Sequence, residues 1–450
     1  MIDYSSLHLY KPTLQTFNRH HRGLLAAVIV NLWFLCWMCE ADTHFLFCRL
    51  AVLSHRRPDL LKALFPNCDN KIHEETKRKH GVYSVILYKD NEPHCIVVDD
   101  RFPTDKWKRP CFGRSTQLGE IWVSLLEKAW AKLYGSYAAI EGGWVDQALA
   151  DLTGGIPSRI KLKELDKPGS NGGIDSPDKV WAAMLEYHKL GHLLGAGSPS
   201  GSDSPENASA LGIVQGHAYA ILQVREVDGH RLIQLKNPWA RTEWKGTWSD
   251  GDTANWTRRM KKKLGWNKFN GDDGVFWIQL SDFIDNFRQV YVCRLLGGSD
   301  WPVRMRIDSE WTSATAGGCT NYGTVSQNPH YRLRLVAPET RIAFHLSQAD
   351  WRGAQLKQGQ RRVEAIGLEI YKDFAENERV DRKSGKKLLQ ANEGSYTYSR
   401  DVVLETTLKV DECGDVLTVM CSTFHPRKCR SFTLKVYADQ PITFERMGDC

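Results

Sequence analysis

A histidine and an asparagine stand at the two ends of one apolar repeat. Gly216-His217-Ala-Tyr-Ala-Ile-Leu-Gln-Val-Arg-Glu-Val227 alternates as a strand does. Asp228-Gly229 has the composition of a tight turn, and His230 to Lys236 returns as a second strand that stops at Asn237-Pro238-Trp239. An imidazole beside a carboxamide is half of a Cys-His-Asn nucleophilic set. The amide oxygen accepts one ring N–H, fixing tautomer and angle, and the other ring nitrogen takes the proton of a thiol. Parity decides whether the two side chains can share a face. A two-residue turn at Asp228-Gly229 pairs 217 with 240 and turns 237 away; a three-residue loop with a glycine bulge pairs 217 with 239 and turns 237 the same way. Catalysis by this pair therefore requires a bulge. The plainer reading is a structural histidine at a strand start and an asparagine that forms a turn before proline.

These two residues need a scaffold, and the chain is long enough to supply one. Its 450 residues are too many for a single core and suggest about three domains of ~150 residues each. With 42% apolar, 25% charged and 10% aromatic residues it is a packed globular chain and not a disordered one. The formal charge of +7 comes from 60 basic and 53 acidic residues mixed along the chain, which implies no nucleic-acid-binding arm. Twelve cysteines at irregular spacing do not make a disulfide scaffold and point to a reducing compartment, the cytoplasm. Cys36 and Cys39 have metal-ligand spacing but no second pair to complete a zinc site. They lie in the apolar run Leu24 to Cys39, which is read as a buried helix, the alternatives being a signal-peptide core or a tether.

From Leu50 the apolar spacing is helical, with a break at Arg57-Pro58 and a stop at Pro66. Tyr83 to Tyr88 and Cys95 to Val98 form a hairpin through Lys89-Asp-Asn-Glu-Pro93, and a helix runs from Glu120 to Tyr134. Gly195 to Ser204, rich in Gly, Ser and Pro, is expected to be a mobile surface loop bordering the working site. Beyond about residue 296 short strands follow one another: 332–336, 341–346, 366–371, 401–408, 416–420 and 431–437. That spacing predicts an antiparallel sandwich.

Several ordered segments together resemble the calpain family of cysteine proteases. They are Gly81-Val-Tyr83, Val97-Val-Asp-Asp100, Leu125-Leu-Glu-Lys128, Leu133-Tyr-Gly-Ser-Tyr137, Glu141-Gly-Gly143 and Asp151-Leu-Thr-Gly-Gly155, then Gly216-His-Ala-Tyr219, Leu235-Lys-Asn-Pro-Trp239, Glu243-Trp-Lys-Gly-Thr-Trp-Ser-Asp250, Gly274-Val-Phe-Trp277 and Ser281-Asp-Phe283. Thr315-Ala-Gly-Gly-Cys319 and Asn328-Pro-His-Tyr-Arg-Leu-Arg334 look like the start of the family's β-sandwich domain. The resemblance implies an α+β fold: a papain-like two-lobed cysteine protease core followed by an antiparallel, C2-like β-sandwich. It divides the chain into a divergent or aberrant N-terminal segment (1–49), a mainly helical lobe (50–190), a β-rich lobe carrying His and Asn (191–296) and the sandwich (297–450). It implies that His217 is the general base, Asn237 its orienter and Trp239 the indole beside the cleft. Glu243, Asp250 and Asp273 match carboxylate ligands of a family Ca²⁺ site, while further family carboxylates fall on Val275 and Ala150. No organic cofactor is implied.

The family's nucleophile belongs to a Gly-Asp-Cys-Trp-Phe-Leu motif that this chain lacks. Aligning backward from Leu50 puts His44 at that position, and aligning on Trp33-Phe-Leu35 puts Leu32 there. Cys36 and Cys48 each lie four residues beyond, about 6 Å along a helix. Phe45 to Arg49 can be encoded by a pyrimidine-rich run ending in AG, so the segment up to about 49 is read as translated intron. The expected function is a calpain-like cysteine endopeptidase acting on protein substrates, with Ca²⁺ dependence as an expectation of the resemblance; the alternative is an inactive relative that binds polypeptides or membranes. The basic run Arg258, Arg259 and Lys261 to Lys263 could meet anionic lipid, or be a solvated helix face.

Overall fold

The computed structural model describes residues 8–10, 50, 52–66, 79–107, 110–113, 115, 120–140, 143–165, 173–201, 208–238, 242–266, 273–352, 363–375, 378–382, 387–391 and 396–448. Trp239, the run Leu24 to Cys39, and the candidates Cys36 and Cys48 lie outside them. Two compact units emerge: Met1–Asp166 with Ile174–Leu295, and Leu296–Cys450 with Lys167–Gly173. Among the described residues no helix is long and apolar enough to cross a membrane.

The centre of the first unit is a six-stranded antiparallel sheet. Its strands, in chain order, are β1 (Ile156–Lys161), β2 (Leu193–Gly197), β3 (Ala218–Val227), β4 (His230–Lys236), β5 (Val275–Gln279) and β6 (Gln289–Arg294). Across the sheet the order is β1-β6-β2-β3-β4-β5. Both faces are covered, so alternate residues along a strand enter different cores. Leu193, Ala220, Leu222 and Cys293 pack with the helices Trp122–Tyr134 and Val145–Thr153. Leu194, Tyr219, Ile221 and Val292 pack with the helices Pro177–Lys189 and Leu280–Asn286. This explains why β2 and β6 read as unbroken apolar runs.

The helix predicted over 120–134 spans Trp122–Tyr134. The predicted hairpin is Val82–Lys89 with Glu92–Asp99, closed by Asp90 and Asn91 alone, both at positive φ, so its turn is tighter than the five-residue connection expected. Leu50, Val52, Leu53, Leu61 and Leu64 are buried on either side of the break at Arg57. His8–Tyr10 pairs with Phe102–Thr104.

Two expectations are corrected. Gly195 to Gly197 is no surface loop: it is the buried end of β2, between β6 and β3. A Cβ on Gly195 would sit 3.0 Å from Val145 Cγ1, and one on Gly197 would sit 2.9 Å from the Tyr291 hydroxyl. The glycines permit close packing here and do not mark a flexible loop. Likewise the lobe boundary does not fall at 190/191. β1 and the helix Pro177–Lys189 precede it yet share the sheet and the core of the residues that follow.

The second unit is the predicted sandwich. A four-stranded sheet (Val303–Trp311, Glu339–Gln348, Asp401–Lys409, Arg430–Ala438) and a second sheet built on His330–Leu335, Ala365–Lys372 and Val416–Thr423 share one core of inward residues, among them Trp311, Phe344, Leu368, Val419 and Phe432. All strand pairs are antiparallel. Sequence spacing missed Val303–Trp311, Lys387–Gln390 and Ile442–Arg446. The first is half-exposed along much of its length yet does alternate, with Val303, Met305 and Ile307 packed on the core and Arg304, Arg306 and Asp308 between them, so its signal was present in the sequence. One buried polar chain runs along one end of the four-stranded sheet: Arg352 and Arg400 both pair with Asp350 at 2.7 Å, Arg400 pairs with Asp401 at 2.8 Å, and His345 Nε2 lies 2.9 Å from Asp401 Oδ1.

Candidate active site

β3 and β4 form the hairpin that carries the predicted pair. Asp228 (φ 52°) and Gly229 (φ 80°) make a two-residue turn with both φ positive, and Val227 pairs with His230. That turn alone would place His217 and Asn237 on opposite faces. The register slips once: Gln223 pairs with Gln234 but Ile221 with Leu235, so Leu222 is an extra residue in β3. The required bulge therefore exists, but in mid-strand and not at the turn. Its trace in the sequence is a broken alternation, since Tyr219 and Ile221 share a core with Val224, three residues on.

His217 and Asn237 consequently meet. His217 Nε2 lies 3.0 Å from Asn237 Oδ1, and both residues are buried. The backbone of His217 is clipped to Ser198 just beyond β2: His217 N donates to Ser198 Oγ (2.8 Å) and Ser198 N donates to His217 O (3.0 Å). Gly216, at φ 69°, donates to Pro199 O; a Cβ there would lie 2.3 Å from Gly201 O. The imidazole stands edge-on to Tyr219, centroids 5.1 Å apart, and the Tyr219 hydroxyl accepts from Val214 N.

Asn237 is held from the other side. Its N–H donates to Gly274 O (2.7 Å), and its side-chain Nδ2 donates to Thr242 O (3.0 Å) and Thr242 Oγ1 (3.1 Å). Gly274 N donates to Glu243 Oε1 at 2.7 Å. Ser198 lies in the Gly195 to Ser204 stretch expected to border the working site; Thr242 carried no sequence signal, because a single small polar residue has no pattern of its own.

Lys236, one residue before Asn237, faces the opposite way and is buried; burial pushes its pKa down, opposed by the charge of Asp273. Nearby, Arg56 donates to His188 O (2.6 Å) and to His188 Nε2 (3.1 Å), tying the helical stretch after Leu50 to the end of the helix Pro177–Lys189. Burial and the Arg56 charge push His188 down to about 4.

The three carboxylates matched to a Ca²⁺ site are divided. Glu243 and Asp250 line one pocket of about 830 Å³ together with Lys245, Asp252 and Asn255. Asp273 does not line it, and its Oδ1 accepts from Val275 N at 2.8 Å. Among the described residues no group of three His, Cys, Asp or Glu side chains comes together to hold a metal ion. Glu243 Oε1 and Asp273 Oδ1 each accept from a backbone N–H in the segment leading into β5.

The basic run forms the helix Arg258–Leu264, capped by Thr257 Oγ1. Met260 and Leu264 are buried among Trp248, Trp256 and Trp277. Arg259 and Lys263 both pair with Asp228, and Lys261 Nζ lies 4.4 Å over the Trp266 ring.

A helical and antiparallel-sheet core with a buried His–Asn pair, followed by a β-sandwich, is the architecture of a cysteine protease of the papain type carrying an accessory domain. Comparison with known proteins narrows this. Residues 39–294 match the calpain family cysteine protease profile, and residues 307–437 match domain III of the calpain large subunit. The chain belongs to the calpain family. It is 38% identical over 386 residues to the calpain-type cysteine protease DEK1 of Arabidopsis thaliana and 39% identical over 384 residues to the calpain-type cysteine protease ADL1 of Oryza sativa; each alignment covers 82% of this chain and 17% of the relative. Mouse calpain-5 is 31% identical over 389 residues, covering 80% of this chain and 58% of that protein. The chain thus spans a small part of the plant relatives and little more than half of calpain-5.

Proposed function

We propose that this chain is a calpain-type cysteine endopeptidase that hydrolyses peptide bonds of protein substrates. The observation that carries the reading is the 3.0 Å contact between His217 Nε2 and Asn237 Oδ1. With Nε2 turned to the amide, proton transfer falls to Nδ1. It takes the thiol proton as sulfur attacks the scissile carbonyl carbon, and gives that proton to the departing amine nitrogen as the C–N bond breaks; water then releases the acyl group from sulfur. The resemblance puts the thiol before Leu50, where Cys36 and Cys48 are the candidates. Ca²⁺ dependence is carried by the family resemblance alone, and no step is routed through the ion. The test is turnover of a fluorogenic protein substrate by the full chain with Ca²⁺ and with chelator, together with mass-spectrometric mapping of a thiol-directed epoxide. Turnover lost in His217→Ala and a label on Cys36 or Cys48 support the reading, and a Ca²⁺ response decides the family expectation.

The missing Gly-Asp-Cys-Trp-Phe-Leu motif favours a second reading, a non-catalytic relative that binds polypeptides. No turnover at any Ca²⁺ concentration, with retained binding of denatured protein, selects it. Contact of the basic helix Arg258–Leu264 with a membrane surface belongs to this reading too, and sedimentation with anionic against neutral vesicles measures it.

A further inference from the structure

The carboxamide of Asn237 has two ends that differ chemically, and only one may face the imidazole if the pair is to work. What sets that choice is on the opposite side of Asn237 from His217. The main-chain oxygen of Thr242 can only accept a hydrogen bond, and it lies 3.0 Å from Asn237 Nδ2. Turning the amide over would bring Oδ1 against that oxygen, two acceptors facing each other in a buried place. The Thr242 hydroxyl lies 3.1 Å from Nδ2 and accepts from it here, but a hydroxyl can also donate, so the choice between the two ends rests on the main-chain oxygen. With both N–H bonds committed to Thr242, Oδ1 is left toward His217, and an acceptor there requires a proton on Nε2. The lone pair is then on Nδ1, the nitrogen a base needs.

We propose that Thr242 is a positioning residue for the reaction: it fixes the Asn237 amide orientation and, through it, the Nε2–H tautomer of His217. This deepens the peptidase reading and rests on it for its consequence in rate, but the tautomer itself does not depend on turnover. Thr242 also begins the stretch that walls the 830 Å³ pocket, and the adjacent Glu243 holds Gly274 N while Gly274 O holds Asn237 N. Asn237 is therefore gripped from two segments, its side chain by Thr242 and its backbone by Gly274, and Glu243 links the two.

The test uses the full chain labelled with ¹⁵N-histidine, the His217 ring signals being assigned by their loss in His217→Ala. Long-range ¹H–¹⁵N spectra above the imidazole pKa should show protonated Nε2 and unprotonated Nδ1 in the wild type. Thr242→Val removes the hydroxyl and keeps the main-chain oxygen that tells the two ends of the amide apart, so the two ring shifts should stay as in the wild type. A wild-type Nδ1–H tautomer, or a folded Thr242→Val protein whose two ring shifts move toward each other, overturns the proposal. Should Thr242→Val not fold, Thr242→Ala takes its place, and the wild-type tautomer still decides. A chain that shows the expected tautomers without turnover refutes the peptidase reading and leaves the positioning role standing.

Discussion

Acid should weaken the sandwich through one histidine. His330 is wholly buried, its Nδ1–H donates to Asn328 O at 2.7 Å, and its Nε2 accepts from Val380 N at 3.2 Å, so only the neutral ring satisfies both contacts. Burial, with the Arg379 and Arg332 charges nearby, pushes its pKa from 6.5 down to about 4. The folded value is the lower one, so as pH falls below 6.5 the unfolded chain takes up a proton that the folded chain refuses, and stability is lost. At pH 5 the unfolded ring is charged by about thirty to one and the folded ring by about one to ten. Their difference costs about 2 kcal/mol, rising to about 3 kcal/mol below pH 4. His345 is also held neutral by burial and titrates in the same direction, whereas Asp350 and Asp401 are held at low pKa by their arginines and lose their contribution at lower pH. A His330→Gln variant isolates the effect. Urea denaturation at pH 8 and pH 5, read by hydrogen-exchange mass spectrometry of peptides from residues 330–335 and 416–423, should show the wild type losing about 2 kcal/mol more than the variant over that interval. Parallel losses in the two proteins would refute the reasoning.

The bulge supports a second prediction. Deleting Leu222 restores an even register, turns Ala218 to Ile221 over and moves Asn237 to the face opposite His217; thermal melting should fall sharply and any turnover should vanish. Gly197→Ala places a methyl 2.9 Å from the Tyr291 hydroxyl and should cost about 1–3 kcal/mol by urea titration, with Tyr291→Ala relieving the clash. Asp350→Ala leaves the guanidinium groups of Arg352 and Arg400 buried without their shared carboxylate. A loss of about 3–5 kcal/mol is expected in the same exchange experiment.

Much of this chemistry was legible before any coordinates. The order Gly216-His217, Asn237-Pro238 along two alternating runs named the pair and stated that a bulge was needed, because side-chain parity along a strand is a local property. The sandwich strands beyond 296 showed themselves as short β-rich runs without helical rhythm, several of them buried along nearly their whole length. The helix at 122–134 was equally plain from its 3.6-residue rhythm.

Contacts between distant segments were not legible. Gly195 to Gly197 has the composition of a loop; only the side chains of Val145 and Tyr291, brought in by a helix and by β6, explain why a buried strand there must lack side-chain bulk. Leu222 looks like any strand residue, and its role as the extra one emerges only when β4 is laid beside β3. Glu243 and Asp273 read as metal ligands by type, but folding gives each a backbone N–H in the turn before β5. Residue type and spacing determined which groups could do chemistry. Tertiary packing decided which of them touch, because hydrogen bonds of about 3 Å are set by where separate strands and loops cross, and that crossing is a property of the whole folded unit.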